Sequence, residues 1–294
     1  MLTKEEFQKE ISSGCCFLDG ATGSNLRRAG MPLGCCAEQW VLENPEALVQ
    51  LQRGYAEAGS QILYAPTFQA QPLALARIGW QERTEEVNAK LVALSRSAAP
   101  NCLIAGDLTT MAGFCDSWNP ELYDTLVENY RVQIHGLMDG GADLLVAETL
   151  MYPQEAEAVL EAAYAEGSCA VMCSFTMQAD GALFFGQPAG PVLRSLEEAD
   201  AAAVGFNCVA ADETTPHLVS LLRRFTRLPM ICKPNAGMPT INASGEAEYD
   251  LPPDAFASIL KQCAQNGAAL LGGCCGTTPE YIAAAKACIQ GGIL

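Results

Sequence analysis

Two adjacent thiols occupy the stretch Leu270-Leu271-Gly272-Gly273-Cys274-Cys275-Gly276-Thr277-Thr278-Pro279-Glu280, between an apolar run and a helix start. Thiolates bind thiophilic metals, and the flanking glycines permit tight or φ > 0 turns and close backbone approach. Thr278 can cap the helix that follows, Pro279 suits its first position, and Glu280 favours its first turn. Two thiolates do not fill the coordination shell of zinc, so a further ligand has to come from elsewhere. Cys208, in Val204-Gly205-Phe206-Asn207-Cys208, is the best candidate, because it too ends an apolar run.

The elements that position these residues follow a repeating order. Short apolar runs over 15–20, 62–68, 102–107, 143–149, 169–175, 201–208, 228–234 and 268–273 read as strands. Their continuous apolar character suits strands buried on both faces. Helical patterns cover 45–59, 81–98, 119–139, 153–166, 212–226, 252–266 and 279–290, with a short polar helix over 3–13. Asn44-Pro45-Glu46 supplies a cap, a first-position proline and a first-turn acid, and Gly59 a C-terminal stop. A Gly/Pro-punctuated segment, 180–191, leads to a further short helix, and 235–250 is a polar loop. Eight strand-then-helix units without a composition break predict an α/β fold, a (β/α)8 TIM barrel formed as a single domain over 1–294. An open doubly wound sheet is the rival. In such a barrel the strand C-termini line the site. Here they carry Asp19, Thr67, Asp107, Glu148, Asn207-Cys208, Asn235 and Cys274-Cys275.

These residues resemble the zinc-dependent homocysteine S-methyltransferases, which include the homocysteine-binding domain of cobalamin-dependent methionine synthase and betaine–homocysteine methyltransferase. The resemblance spans nearly the whole chain. It rests on Leu18-Asp19-Gly20-Ala21-Thr22-Gly23-Ser24, the helix from Asn44-Pro45-Glu46 to Tyr55-Ala56-Glu57-Ala58-Gly59, and Ala65-Pro66-Thr67-Phe68. Gly205-Phe206-Asn207-Cys208, Lys233-Pro234-Asn235-Ala236-Gly237 and Gly272-Gly273-Cys274-Cys275-Gly276 complete it. Two segments depart from the family pattern: Met31 to Trp40, with Cys35-Cys36, and the Tyr64-Ala65-Pro66 approach to Thr67.

The resemblance implies Zn2+ on Cys208, Cys274 and Cys275, with a fourth position open to exchange, as in catalytic zinc sites. Metal coordination deprotonates a thiol that is mostly protonated at neutral pH, so the implied reaction is SN2 methyl transfer to the sulfur of homocysteine, giving methionine. Asp19 and Glu148 would receive the substrate ammonium, and a charge-assisted bond there selects an amino acid. Thr67 would hold the substrate carboxylate through its N–H or hydroxyl, or else close a turn. Asn235 would be a weak, displaceable fourth ligand, or else a loop residue following Pro234. Asp107 reads as a structural residue of the barrel rim. His135 and His217 fall within helices and receive no ligand role, and the 180–191 loop is either a lid or plain surface.

At this length only the homocysteine module has room. The methyl donor is then methylcobalamin or methyltetrahydrofolate on a separate corrinoid protein or folate-binding module. The alternative is a stand-alone enzyme using S-methylmethionine or betaine. The end at Gly291-Gly292-Ile293-Leu294, just after the last helix, fits a domain cut. Composition narrows the partners: 34 acidic against 17 basic residues give a net charge of −17, which disfavours nucleic acid and anionic membranes. No apolar run approaches the roughly 18–20 residues of a membrane span, and the N-terminus lacks a signal core, so a cytoplasmic location is expected. Fourteen cysteines in such a setting are no disulfide framework. Their number, with Cys35-Cys36, supports a reading of another class, a zinc- or thiol-handling redox protein on the same barrel. In a further variant, Cys35-Cys36 supplies a fourth thiolate to the metal.

Overall fold

The computed structural model describes residues 1–111, 119–243 and 245–291. Eight parallel strands form the barrel: β1 (Cys16–Phe17), β2 (Ile62–Tyr64), β3 (Leu103–Thr109), β4 (Leu144–Leu150), β5 (Val171–Phe175), β6 (Ala203–Ala210), β7 (Met230–Asn235) and β10 (Leu270–Leu271). Their order is β1-β10-β7-β6-β5-β4-β3-β2. A parallel bridge between Leu18 and Ile62 joins the two end strands and closes the ring. The expected (β/α)8 architecture is present, and the open-sheet rival is excluded.

Strand lengths differ from the sequence expectation for local reasons. β2 stops at Tyr64 because Pro66 has no N–H to continue a ladder. β3, β6 and β7 run past their expected ends, to Thr109, Ala210 and Asn235. The 235–250 loop carries a small antiparallel hairpin, β8 (Thr240–Ile241) with β9 (Ala247–Glu248).

The outer helices are α4 (Pro45–Ala58), α6 (Thr84–Ala98), α7 (Tyr123–Asp139), α8 (Pro153–Glu166), α9 (Ala189–Glu198), α10 (Thr215–Leu222), α11 (Pro253–Gln265) and α12 (Pro279–Gln290). Gly59 ends α4 at φ +103, as its position predicted. Two expected caps are corrected. Asn44 turns its amide back to Trp40 O, 3.0 Å, and so closes the preceding helix. Thr278 stands at the N-cap of α12 but makes no capping bond, and its hydroxyl is buried without a partner. Three short helices were not expected: α2 (Gly23–Arg28) and α3 (Ala37–Glu43), between β1 and α4, and α5 (Pro72–Leu75), after β2. The chain end 292–294, which fitted a domain cut, lies outside the described residues.

Side-chain parity decides what enters the barrel. Successive residues of a strand face opposite ways. Cys16, Ile62, Ala105, Leu144, Val146, Met172, Ala203, Ile231 and Leu270 form the inner core. Phe7 of α1 (Lys4–Glu10) belongs to it and plugs the N-terminal end. Phe17, Leu63, Ile104, Leu145, Val204 and Met230 face the helices. Counting on by two from the inner residues places Tyr64, Asp107, Glu148, Asn207 and Lys233 in the uppermost inner layer, at the end where barrel active sites lie.

Candidate active site

Cys208 and the Cys274-Cys275 pair converge although 66 residues separate Cys208 from Cys274 in the sequence. The three sulfur atoms lie within 4.8 Å of one another, and those of Cys274 and Cys275 are 4.0 Å apart. Zinc–sulfur bonds of about 2.3 Å in a tetrahedron require sulfur separations of roughly 3.8 Å, so the cluster fits that metal with small adjustment.

Local backbone irregularity aims these thiols. The β6–β7 register slips between Asn207 and Ala210, and Cys208 takes φ 57. The β4–β5 register slips between Ala147 and Leu150, and Thr149 takes φ 59. Left-handed backbone at a non-glycine residue costs about 1–3 kcal/mol and persists where surrounding bonds over-determine it. Asn207 makes those bonds. Its Oδ1 accepts from Thr149 N (2.7 Å) and Ser174 Oγ (2.9 Å). Its Nδ2 donates to Thr149 Oγ1 (2.7 Å) and Glu148 Oε2 (3.3 Å), and lies 3.8 Å from Cys274 Sγ.

The cysteine turn is held from β7. Cys274 N donates to Pro234 O, 2.7 Å, and Ala236 N to Cys275 O, 2.9 Å. Asn235 Oδ1 accepts from Cys275 N at 3.0 Å, so this amide braces the turn. Gly276 has φ +83, and the Tyr249 ring packs where its Cβ would stand. Hydrogen bonds from Cys208 and Cys274 hold Cys275 down to about 3, with the Tyr249 hydroxyl assisting. Cys208 is correspondingly pushed up by its bonds to the other two thiols.

Beside the thiols lies a buried charge cluster. Lys233 Nζ is 3.1 Å from Asp19 Oδ1 and 3.7 Å from Glu148 Oε2, and sits 4.1 Å from the centre of the Tyr64 ring. Burial works to lower Lys233, but the charges of Asp19 and Glu148 outweigh it and hold the ammonium well above its ordinary value. Burial pushes Glu148 up to about 7 despite the opposing pull of Lys233. Asp19 is raised by burial as well, against Lys233 and the Tyr64 N–H, which donates to Asp19 Oδ2 at 2.7 Å.

A cavity of about 370 Å³ opens over both groups. Tyr64, Asp107, Glu148, Lys233 and the three cysteines line its depth, and the turn from Gly20 to Ser24 lines one wall. Met31, Cys35, Ala37 and Glu38 roof it, so the segment that departs from the family pattern is part of the site. Glu38 is buried and ties this roof to the β2 loop, accepting from Gln69 N (2.8 Å) and Cys36 Sγ (3.2 Å). Cys35 donates to Pro32 O, and the described cysteines are all unbridged. A larger cavity, about 580 Å³, opens around Arg53, Asn101 and Lys286 but holds none of the clustered thiols or buried acids.

Of the residues expected in the site, the structure brings Cys208, Cys274, Cys275 and Glu148 to one cavity. Asp19 stands behind Lys233, outside the cavity lining. Thr67 is fully buried away from the lining: its N–H donates to Ala65 O, and its hydroxyl donates to Asp107 O and accepts from Asp107 N. Its two donors are therefore spent on turn and strand backbone. His135, beside Glu166, and His217 are exposed on the outer helices. Sequence reading missed Lys233, Asn207 as the brace of both bulges, and Glu38. The signal for Lys233 was a lysine inside an apolar strand, where an unpaired charge is not tolerated.

The sequence matches the family described as homocysteine S-methyltransferase over residues 16–289. It is 32% identical to the homocysteine S-methyltransferase of Escherichia coli K12, over 92% of this chain and 94% of that protein. It is 29% identical to the methionine synthase of Mycobacterium tuberculosis over 90% of this chain, which spans about a quarter (24%) of that protein's length. The metallated form of the homocysteine methyltransferase MmuM from Escherichia coli superposes with a TM-score of 0.82 at 29% identity, covering 96% of this chain and 99% of that one. The match begins at the first barrel strand and ends within the last helix, enclosing both the thiol and the charge cluster, and the chain belongs to the homocysteine S-methyltransferase family.

Proposed function

We propose that Cys208, Cys274 and Cys275 hold one zinc ion, and that homocysteine enters the 370 Å³ cavity and leaves as methionine. The observation that carries this reading is the convergence of three sulfurs within 4.8 Å beside a buried acid–lysine cluster. Zinc held there would supply deprotonation of the substrate thiol at neutral pH and keep its sulfur nucleophilic. The rest falls to the protein. Glu148, on the cavity wall, offers negative charge to the substrate ammonium. Asn235 fixes the backbone at Cys275, Asn207 ties the bulge before Cys208 to Thr149 and Ser174, and the roof from Met31 to Glu38 restricts water. In the transfer a sulfur–carbon bond forms as the donor's bond to the methyl group breaks, and the thiol proton leaves to solvent. Asn235 is a candidate weak ligand at rest through the second lone pair of its Oδ1.

For the donor, a methyl group carried by a corrinoid protein or folate-binding module is the first reading. The exposed apolar side chains Leu33, Phe184, Phe185, Met238 and Ile241 favour a protein partner, because all stand on loops leaving the site end of the barrel. A relative matched over 94% of its own length favours a second reading, a free onium donor such as S-methylmethionine or betaine. Such a thiolate cluster suits the reducing cytoplasm. Among the described residues no helix is long and apolar enough to cross a membrane.

The test is zinc per chain, wild type against Cys208→Ala, followed by methionine formation with each donor. About one zinc in the wild type and little in the variant is expected. A freshly reduced wild type that binds no zinc would overturn the reading. Turnover of S-methylmethionine or betaine without any corrinoid would select the second donor class. Calorimetry with homocysteine against cysteine separates an enzyme, which prefers the longer thiol, from a general thiol-handling protein.

A further inference from the structure

Three buried carboxyls, Asp19, Asp107 and Glu148, share the upper barrel interior with one buried cation, Lys233. Their partners are unequal. Asp19 takes the Tyr64 N–H on one oxygen and Lys233 on the other, and it does not line the cavity. Glu148 lines the cavity, with one oxygen engaged by Asn207 and Lys233. Asp107 also lines the cavity and is only 4% exposed, yet its carboxyl has no hydrogen bond or ion pair among the described residues. Its backbone is pinned on both sides, by Thr67 Oγ1 at 2.8 and 3.0 Å and by Gln133 Nε2 at 3.2 Å. The backbone is thus fixed while the carboxyl is unsatisfied. A buried carboxyl without a partner is costly unless a ligand supplies one. Against three acids the site offers a single ammonium, so a second cation would offset one more of the negative charges and give the unpartnered carboxyl a hydrogen-bond donor.

Resting on the homocysteine reading above, we propose that Asp107, together with Glu148, receives the ammonium of the amino-acid substrate, while Asp19 anchors Lys233. Asp107 then selects an α-amino thiol over a thiol of equal length without the amino group. Burial and the neighbouring Glu148 push Asp107 well above the carboxylate range in the free protein, and an arriving ammonium opposes both effects.

The experiment is calorimetry on the zinc-loaded full chain with homocysteine and with 4-mercaptobutyrate, which lacks only the amino group. Wild type, Asp107→Asn and Asp19→Asn are compared, with zinc content and thermal midpoint recorded for each. A charge-assisted bond predicts that Asp107→Asn weakens homocysteine roughly 10- to 100-fold and leaves 4-mercaptobutyrate unchanged. Asp107→Asn should keep its zinc and its thermal midpoint, because the carboxyl it removes has no partner in the free protein. A wild type that prefers homocysteine and an Asp107→Asn variant that prefers it equally would overturn this assignment and leave the substrate reading intact. An Asp107→Asn variant that melts well below wild type would also overturn it, by giving the carboxyl a structural role. A wild type that binds zinc but not homocysteine would overturn the substrate reading and this assignment with it.

Discussion

The thiol cluster and the carboxylate cluster share one cavity but are built in opposite ways. The thiols stand on two short motifs at irregular backbone: a bulge at Cys208 with φ 57, and a glycine-flanked turn at Cys274-Cys275. Their geometry is set by hydrogen bonds to main chain, through Asn235, Pro234 and Asn207. The acids sit at strand ends and have little local support. Asp19 and Glu148 are held by one lysine that reaches from β7 to the residues after β1 and on β4, while Asp107 has no such partner. A metal tolerates few positions for its ligands, and the thiols proposed to hold one are encoded in compact motifs. A site for an ammonium needs only net negative charge at the right depth, and that charge can be assembled from the ends of three strands.

This contrast can be broken most severely at the thiols. Cys208→Ala should lose metal and activity together while the barrel stays folded, since the inner and outer cores do not depend on that side chain. Metal analysis with circular dichroism checks this, and an unfolded Cys208→Ala would make the cluster structural. The acid side should respond in stability first. Lys233→Met leaves Asp19 and Glu148 buried without their cation, and a loss of roughly 3–5 kcal/mol is expected in urea unfolding, with zinc content unchanged. Asn207→Ala releases both bulges without removing a ligand. Outer-sphere supports of this kind are worth about 10- to 100-fold in metal affinity, which chelator competition measures. The smallest expected effect is on pH dependence. Glu148 is held up to about 7 by burial, so it gains a proton as pH falls through that value and loses the charge that attracts an ammonium. Homocysteine affinity should therefore weaken below about pH 7 and level off above it, and Glu148→Gln should flatten the profile at the weaker value without losing zinc. A Glu148→Gln variant that keeps the slope would move the titration to another group.

The roof of the site was the least readable part. Met31 to Trp40 read as a departure from the family pattern, and the helix within it was not expected, because α3 is short and its start is not marked by a side-chain cap. Its stability comes from a satellite core in which Leu26, Met31 and Val41 meet Leu48, Leu75 and Leu91. Only packing against later helices seats that segment over the cavity. Cys35 and Cys36, read in the sequence as a source of a fourth thiolate, hydrogen-bond to Pro32 O and Glu38. Thr67 read either as a carboxylate holder or as a turn residue, and Asn235 either as a weak ligand or as a loop residue; the hydroxyl of Thr67 bonds the Asp107 backbone, and Asn235 Oδ1 accepts from Cys275 N.

What the sequence determined by itself was the alternation of apolar runs and helices, and with it the barrel, the strand-end address of each polar residue and the three thiols. Those follow from local chemistry: periodicity, glycine and proline placement, and metal-ligand type. Strand parity was beyond its reach. Runs buried on both faces carry no polar alternation to show which side is inside. Only barrel closure, at the Leu18–Ile62 bridge, set which residues turned inward. Closure brought Lys233 onto Asp19 and Glu148, placed Asp107 on the cavity wall and sent Thr67 behind it.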